Sequence, residues 1–364
     1  MDQQIRFCSS FDGARIAYAL SGRGPPLVMS ATWLGHLEHD WRNLAWRPWL
    51  EHFSRKYTLL RYDMRGTGLS DRSFTNVSGD TWARDFEAVV DAAGFDRFPL
   101  LGICQGGPTA IEFAARHRDR VAQLLLYGTY ARGNFMRPER PREFDKAKVF
   151  VDMARLGWGN EDHAFMQVWA SLFQPGGGID HLRSWNELQR QAIAEENVPA
   201  FFEAAFRIDV QDAARGIECP TLVIHASKDK AVHVEEGRRL ASLIPAARFI
   251  ELESENHMLL PEEPAWARFI QEVNAYLRTP RAQGEVAGIG ERLATLTERE
   301  HQVLEGIARG LDNTEIAAEL ALSQKTVRNH ITRVFDKIGV AHRYQAIVLA
   351  RDAGLGNGRR PAHS

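Results

Sequence analysis

The chain has 364 residues, of which 44% are hydrophobic and 25% are charged, and its formal net charge is −2. This length allows two domains, and the first could bury a sizeable core. The slightly negative charge excludes a chain that is basic throughout, so any surface that binds nucleic acid must be local.

The cysteine content and the lack of long apolar runs predict the compartment. Cys8, Cys104 and Cys219 lie far apart, with no CxxC pair, which suits a reducing cytoplasm better than a disulfide scaffold. The N-terminus has no apolar run of signal-peptide length, and no run reaches the roughly 18 residues of a membrane span. We therefore expect a cytoplasmic protein without a membrane partner.

Short apolar runs alternate with helical patterns through residues 1–280. The runs predict buried strands at PPLVMSA (25–31), YTLLRYD (57–63), FPLLGIC (98–104), VAQLLLYG (121–128), PTLVIHA (220–226) and ARFIELE (247–253). Continuous apolar runs are typical of parallel strands that are covered on both faces. Segments between them, such as 81–94 and 108–117, have helical periodicity, so we predict a doubly wound, mostly parallel α/β sheet.

The stretch LLGICQGG places Cys104 in a Gly-x-nucleophile-x-Gly-Gly pattern, between a predicted strand and a predicted helix. This context is that of a nucleophile elbow, whose small residues permit a sharp turn that projects the nucleophile from the sheet. A thiol stands here in place of the usual serine hydroxyl. Cys104 is therefore either a thiol nucleophile or an inert small residue in an elbow that has lost its chemistry.

Between about residues 134 and 209 the strand–helix alternation stops. This segment has no clear strand and is rich in Phe and Trp, which predicts a helical cap over the sheet. Two roles are open for its aromatic side chains, namely the core of the cap itself and the roof of an apolar pocket.

An acid and a histidine follow the elbow in chain order. Asp229 comes just after the strand predicted at 220–226, and His257 comes just after the strand predicted at 247–253. Because parallel strands gather their carboxyl ends at one edge, we expect a catalytic set of Cys104, His257 and Asp229. His257 would keep Cys104 deprotonated, and Asp229 would fix the tautomer of the ring. The alternative is that these residues only line a non-catalytic pocket.

Residues 5–278 resemble the α/β-hydrolase family, with familiar segments at YDMRGTGLSDR (62–72) and NHMLLPEEP (256–264). The resemblance implies that the backbone N–H groups of Trp33 and Gln105 are the oxyanion donors. The chain departs from the family at SATWLGH (30–36), where His-Gly is usual, and in having cysteine for serine. Some families of this fold, the dienelactone hydrolases among them, use a Cys-His-Asp set, so cysteine does not exclude turnover.

Other candidate ligands in the sequence carry no predicted chemistry. No cluster has the spacing of metal ligands, and no glycine loop has a phosphate-binding pattern, so we expect neither a metal nor a cofactor. His36 and His39 are expected to be polar pocket or surface residues. Cys8 and Cys219 are expected to be packing residues.

A short all-helical unit is predicted at residues 294–358, after a polar, Gly-rich linker at 281–293. Thr297 and Glu300 have capping-box spacing at the start of its first helix. An Asn or Thr in NTEIAAEL (313–320) is expected to cap the second helix, and Ser323 to cap the third. Two short helices joined by a tight turn predict a helix-turn-helix unit.

The third helix, SQKTVRNHITRVFDKIG (323–339), has apolar residues at helical spacing that must face inward, namely Val327, Ile331, Val334 and Ile338. The opposite face combines cations for phosphate with side chains that read base edges. The predicted DNA-binding residues are Lys325, Thr326, Arg328, Asn329, Thr332 and Arg333. The segment 323–364 also has eight Lys/Arg and two Asp/Glu. The alternative is a solvated, charged face on a small helical bundle.

The segment from LTERE (296–300) onward resembles the LuxR-type DNA-binding domain over its full length, with matching stretches at NTEIA, SQKTVRNH and KIGV. The resemblance implies that the third helix enters the major groove. It also implies that a fourth helix, at about 342–353, supports a homodimer on a two-fold DNA operator.

Two functions of different classes follow from this organisation. The first is a one-component transcription regulator, whose hydrolase-like domain binds a small apolar ester, lactone or acyl compound with weak or no turnover. The alternative is a thiol hydrolase of esters, lactones or thioesters, whose DNA-binding domain serves feedback or localisation. In an intermediate alternative, the ligand forms a slow-clearing covalent adduct on Cys104, and this adduct is the signal. Another alternative is a redox role, in which Cys104 is oxidised.

Overall fold

The computed structural model describes residues 3–32, 35–74, 76–158, 164–245, 247–278, 292–340 and 343–356. The chain divides into two compact units, and the larger one ends at Leu277. Residues 281–291 of the predicted linker lie outside the described residues, so the boundaries of the linker stay a prediction. Within the described ranges, no helix has both the length and the apolar character that crossing a membrane requires.

The larger unit is built on one sheet of eight strands within the described residues. The strands are β1 (Gln3–Ser9), β2 (Arg15–Ser21), β3 (Pro26–Met29), β4 (Thr58–Tyr62), β5 (Phe98–Ile103), β6 (Val121–Tyr127), β7 (Thr221–Ala226) and β8 (Arg248–Leu252). Their order across the sheet is β1-β2-β4-β3-β5-β6-β7-β8. The pairs from β3–β5 to β7–β8 are parallel, whereas β1–β2 and β2–β4 are antiparallel. The predicted mostly parallel α/β sheet is confirmed.

The hairpin of β1 and β2 was not predicted from the sequence. Strand β1 alternates between exposed and partly buried residues and has no continuous apolar run, because it lies at the edge of the sheet. The turn did carry a signal, since Asp12 and Gly13 form the kind of dipeptide that favours tight hairpins. Gly13 adopts a φ of +89°, which glycine reaches without steric cost.

Helices connect the strands and pack on the sheet. Those between residues 46 and 278 are α1 (Trp46–Ser54), α2 (Gly79–Ala93), α3 (Gly106–Arg116), α4 (Pro141–Gly157), α5 (Ala164–Phe173), α6 (Ile179–Ala192), α7 (Val198–Phe206), α8 (Gln211–Arg215), α9 (Val234–Leu243) and α10 (Pro264–Arg278). In one aromatic group, the ring centroid of Trp49 of α1 lies 4.5 Å from that of Phe269 of α10 and 5.0 Å from that of Tyr127 of β6. In another, Phe86 of α2 lies 4.9 Å from Phe113 of α3. These ring contacts anchor the helices to the core.

Helices α4 to α7 form the cap between β6 and β7. An antiparallel bridge between Arg132 and Asp209 joins the two ends of this insertion. Inside the cap, the rings of Trp169 and Phe202 lie 4.7 Å apart, and those of Phe173 and Trp185 lie 5.1 Å apart. The aromatic residues of the segment therefore build its core.

The second unit contains α11 (Glu298–Ala308), α12 (Asn313–Leu320), α13 (Gln324–Ile338) and α14 (Arg343–Asp352). Thr297 and Glu300 form the predicted capping box, and the Ser323 hydroxyl accepts a hydrogen bond from the N–H of Thr326. The predicted Asn or Thr cap of α12 is wrong. Asp312 is the cap, because its carboxylate accepts N–H bonds from the second and third residues of the helix, both at 2.8 Å.

The inward face predicted for the third helix forms the core of this unit. Val327, Val334 and Ile338 are fully buried, and Ile331 is partly buried against the same cluster. Side chains from α11, α12 and α14 complete the cluster. The helix is therefore fixed by a strip of branched residues, which leaves the opposite face available to solvent.

Thr297→Ala tests the cap of α11. We expect a loss of about 1 kcal/mol in the free energy of unfolding of the second unit, because an orphan helical N–H loses its acceptor. Thr297→Ser keeps the hydroxyl and is the matched control. Amide hydrogen exchange of residues 298–308 in the full chain measures the change, and equal protection in the two variants would contradict the assigned cap.

Candidate functional site

Cys104 occupies a sharp turn between β5 and α3. Its φ is +50°, a left-handed conformation that is uncommon for a residue other than glycine. The N–H of Cys104 donates to the carbonyl of Tyr127 at 3.0 Å, and its own carbonyl accepts from Gly107 N–H at 3.1 Å and from the Thr129 hydroxyl at 2.5 Å. These hydrogen bonds keep Cys104 in this strained backbone conformation. Strained residues of this kind cluster at functional sites.

Two glycines after Cys104 are required by close contacts. A Cβ at Gly106 would lie 2.9 Å from the carbonyl oxygens of Ser30 and Ala31, and a Cβ at Gly107 would lie 1.9 Å from the Thr129 hydroxyl oxygen. Any larger residue would push α3 away from the sheet. The glycines of the predicted elbow therefore serve close packing as well as the turn.

His257 and Asp229 meet beside Cys104. The Nδ1 atom of His257 lies 2.6 Å from Oδ2 of Asp229, and both side chains are fully buried. The other carboxylate oxygen, Oδ1, accepts the N–H groups of Ala231 and Val232, each at 2.9 Å. Because Nδ1 is occupied, Nε2 is the ring nitrogen left for Cys104. It is buried without a well-aligned hydrogen bond, and the Cys104 side chain is its electrostatic partner.

The opposite charges of His257 and Asp229 stabilise each other. Burial disfavours the imidazolium of His257, but Asp229 and Cys104 outweigh burial and raise the pKa of His257 to about 10. Burial likewise opposes the carboxylate of Asp229, yet His257 and His225 lower the pKa of Asp229 to about 2. A protonated His257 next to Asp229 is thus the favoured state at neutral pH.

Burial governs the reactivity of the other two cysteines, Cys8 and Cys219. Both are half-buried and unpaired. Burial, followed by the charge of Asp85, raises the pKa of Cys8 to about 11, and burial also raises the pKa of Cys219 to about 11. Thiols of this kind are inert at neutral pH.

His225 is a member of the site that was not predicted from the sequence. It is fully buried on β7, with Nε2 at 2.8 Å from the carbonyl oxygen of Val232 and 3.5 Å from Oδ2 of Asp229. A signal was present, because His225 stands at the end of a strand, four residues before the predicted acid. Asp229 is therefore flanked by two imidazole rings.

The loop that carries His257 is fixed from two sides. The Tyr127 hydroxyl donates to the carbonyl of His257 at 2.8 Å, from the end of β6. On the cap side, Met258 N–H donates to the carbonyl of Phe173 at 3.1 Å, and the Gln174 amide donates to the carbonyl of Met258 at 2.9 Å. The histidine is thereby held to both the sheet and the end of α5.

A cavity of about 60 Å³ lies against Cys104 and under the cap. Its apolar wall consists of Trp169, Phe173, Phe201, Phe202, Ala205, Phe206, Ala231 and Val232. Polar side chains on the remaining wall are Gln105, Tyr130, Asn134 and Arg137. Trp33, the other predicted oxyanion donor, lies outside the described residues. Some of the cap aromatics thus also roof a pocket.

His36 has a structural role. Its Nδ1 accepts hydrogen bonds from the backbone N–H groups of Glu38 and His39 at 3.2 and 3.4 Å. Burial, with help from His39 and Arg72, lowers the pKa of His36 to about 4, which keeps the acceptor nitrogen unprotonated. Among the described residues, no group of His, Cys, Asp and Glu has the arrangement of a metal site.

In the second unit, α13 presents the side chains predicted to contact DNA. Lys325, Arg328, Asn329, Thr332 and Arg333 are exposed on it, and Thr326 is partly buried. Gln324 donates to the Thr314 hydroxyl at 3.0 Å, which fixes α13 to α12. Arg343 of α14 donates to the Asn313 side chain at 2.9 Å. The exposed face is therefore carried on a rigid arrangement of three helices.

Each of the two units matches a known protein family. The model of the alpha/beta hydrolase fold family matches residues 25–264, which is most of the chain. The chain belongs to the α/β-hydrolase family. Residues 294–350 match the luxR family of bacterial regulatory proteins, so the second unit of this α/β-hydrolase is a LuxR-type DNA-binding domain.

Individual relatives are similar to the hydrolase unit. Pyrrolizixenacetamide deacetylase from Xenorhabdus hominickii is 26% identical over 253 residues, which are 69% of this chain and 91% of the deacetylase. An esterase from Exiguobacterium antarcticum has a TM-score of 0.65 at 20% identity, over 76% of this chain and 100% of the esterase. The enol-lactonase from Burkholderia xenovorans LB400 has a TM-score of 0.61 at 23% identity, over 75% and 100%. These two structures support the fold.

The raised pKa of His257 predicts how stability varies with pH. The His257 imidazolium adds to the free energy of unfolding. This contribution is complete below the ordinary histidine pKa of 6.5 and is lost as the pH rises towards about 10. Asp229→Asn removes the main group that raises the pKa of His257. We therefore expect the free energy of unfolding of this variant to change less with pH. Urea denaturation at about pH 6 and about pH 9 measures it.

Glu262→Gln, which removes an exposed carboxylate from the same loop as His257, is the matched control. It should keep the stability profile of the unmodified chain. If Asp229→Asn lost stability with rising pH as steeply as the unmodified chain does, the assigned coupling between Asp229 and His257 would be wrong.

Proposed function

We propose that this protein is a ligand-responsive transcription regulator. Its α/β-hydrolase unit binds a small, neutral, largely apolar ester, lactone or acyl compound next to Cys104, His257 and Asp229. Its LuxR-type unit binds a two-fold DNA operator as a homodimer. The observation that carries this proposal is the DNA-binding domain in the same chain as the hydrolase unit, because a dedicated hydrolase has no chemical use for it.

The size of the pocket supports a small ligand. A cavity of about 60 Å³ has room for roughly four to six water molecules on the same measure. Five Phe and Trp side chains on its wall favour an apolar body. A short acyl group fits this space, with its carbonyl next to Cys104.

The charges around the pocket support a neutral ligand. The one lining guanidinium among the described pocket residues is Arg137, whose Nε and Nη2 donate to the carbonyl of Arg132 at 3.2 and 2.9 Å. Its Nη1 donates to Glu143 at 2.7 Å, and Glu236 lies 3.6 Å from Nε. The positive charge is therefore already compensated, so a carboxylate on the ligand would gain little from it.

The geometry at Cys104 suits capture of an acyl group. The thiolate sulfur attacks the carbonyl carbon, the bond to the leaving oxygen breaks, and that oxygen takes the proton of the His257 imidazolium. The oxyanion formed on the way would be bound by the backbone N–H groups of Gln105 and Trp33. The product is a thioester on Cys104 and a free alcohol, which stays attached when the ligand is a lactone.

Release of the acyl group needs a water molecule at His257, and the cap restricts that access. The His257 ring is fully buried, and the Phe173 ring meets it edge-on at 5.2 Å. The thioester carbonyl at Cys104 would lie in the small pocket that the acyl group fills, which leaves little room for that water molecule. The thioester should therefore clear slowly, and its lifetime would set the duration of the signal.

A signal also needs two states of the protein that differ in affinity for the ligand. The cap is a suitable element, because Trp169 and Phe173 of α5 line the pocket. An acyl group under α5 would favour the closed position of this helix. Coupling to DNA binding then requires that the closed cap alters the dimer.

A thiol hydrolase is the second candidate function. The 2.6 Å contact between His257 and Asp229 favours it, since this geometry supports a general base for deacylation. Similarity to a deacetylase points in the same direction. In that case water attacks the thioester carbon, His257 takes a proton from the water, and the C–S bond breaks to restore the thiolate.

Reaction with p-nitrophenyl butyrate separates the two functions. For the regulator we expect a burst of p-nitrophenolate equal to the amount of protein, then little turnover, with one butyryl group on the intact protein by mass spectrometry. Cys104→Ala should abolish the burst, whereas Cys219→Ala should leave it unchanged. Steady turnover that requires Cys104 would favour the hydrolase instead.

Alanine variants of α13 test the DNA-reading face, with an operator selected from a random duplex library. Arg328→Ala and Asn329→Ala should each lose about 1–3 kcal/mol of preference for the operator, because each removes a bidentate contact to a base edge. Lys325→Ala should weaken binding to all duplexes alike. It should also reduce the slope of log affinity against log salt concentration by about one. Fluorescence anisotropy with operator and scrambled duplexes measures both effects, and three variants with unchanged affinity would contradict the proposed face.

A further inference from the structure

Gln105 has an unused hydrogen-bond donor in the pocket. Its side chain is 5% exposed and lines the same cavity as Cys104. Its amide nitrogen, Nε2, is buried and has no hydrogen-bond partner within the described part of the chain. Buried side-chain donors are almost always satisfied in folded proteins, so an unsatisfied one on a residue that lines a cavity points to a missing partner.

Tyr130 and Asn134 on the polar wall have oxygen acceptors, but neither is hydrogen-bonded to Nε2. The apolar wall is formed by aromatic and aliphatic side chains that cannot accept a strong hydrogen bond. Arg137, the charged residue on the polar wall, is itself a donor and is held by Glu143 and the carbonyl of Arg132. Nε2 is therefore free to bond to an atom of a molecule that enters the cavity.

The position of Gln105 limits where this partner atom lies. Gln105 directly follows the nucleophile, and Cys104 is held in its left-handed turn. The carbonyl of the ligand must lie at the sulfur of Cys104. A glutamine side chain reaches only a few bond lengths from its backbone, so its donor meets an atom close to that carbonyl. That atom is an oxygen acceptor, because an N–H group gains nothing from a methylene.

We propose that Gln105 is a specificity-determining residue that selects acyl groups with a second oxygen next to the reactive carbonyl. The ligand class is then a neutral acyl compound with an ether, hydroxyl or keto oxygen one or two atoms from the carbonyl, followed by an apolar tail. Plain alkanoyl groups of the same shape leave the donor unpaired. This inference rests on the proposed function in placing the carbonyl at Cys104.

The test uses two esters that differ by one atom in the acyl chain. p-Nitrophenyl methoxyacetate has an oxygen where p-nitrophenyl butyrate has a methylene. The rate of acylation of Cys104 is measured for both in the full chain, from the p-nitrophenolate burst and the intact mass. The variants are Gln105→Met, which keeps the length and removes the donor, and Gln105→Glu, which replaces the donor with an acceptor.

We expect the rate ratio of methoxyacetate to butyrate to fall roughly tenfold in both Gln105 variants. Comparison of ratios cancels the different intrinsic reactivities of the two esters. Gln271→Met, the same substitution at an exposed position of α10, should keep the ratio of the unmodified chain. An unchanged ratio in Gln105→Met and Gln105→Glu would overturn the inference.

Failure of the proposed function gives a different result. If neither ester acylates Cys104, capture of an acyl group is refuted, and the role of Gln105 is decided by equilibrium binding of methyl methoxyacetate and methyl butyrate. Calorimetry that shows a preference for the methoxyacetate in the unmodified chain, lost in Gln105→Met, supports the inference. The same relative affinity for both compounds in both proteins overturns it.

Discussion

The left-handed turn at Cys104 is the constraint on which the hydrolase unit depends. It is held by Tyr127, whose carbonyl accepts the N–H of Cys104 at 3.0 Å. The hydroxyl of the same Tyr127 donates to the carbonyl of His257 at 2.8 Å. One residue at the end of β6 thus positions both Cys104 and His257, and the glycines after Cys104 allow α3 to pack closely enough for this.

In the proposed mechanism, the charges of the site favour acylation of Cys104, and the enclosure of the site disfavours deacylation. Asp229 and Cys104 favour an imidazolium at His257, which assists departure of an alcohol but must give up its proton before it can activate water. The cap then limits how water arrives, since His257 is buried beneath Phe173. In the proposed mechanism these properties favour acylation over deacylation, which is the reason for proposing a receptor built on a hydrolase fold.

Much of the fold could be predicted because its signals are local. Strands such as β6, fully apolar apart from Gln123 and Tyr127, and the caps Thr297 and Ser323 can be read from neighbouring residues. The edge strand β1, the second histidine at Asp229 and the free amide of Gln105 could not. They depend on which distant segments meet, such as the 3.5 Å approach of His225 to Asp229, and periodicity carries no such information.

The backbone contacts between the cap and the histidine loop have a consequence for how such a protein can diversify. Phe173 holds Met258 through its main-chain carbonyl, so the side chain at position 173 contributes nothing to that bond. A substitution at position 173 would therefore change the pocket wall and the ring contact with His257 but keep this main-chain bond. Exchange of a cap aromatic thus alters the shape of the pocket without breaking the main-chain link between the cap and the His257 loop.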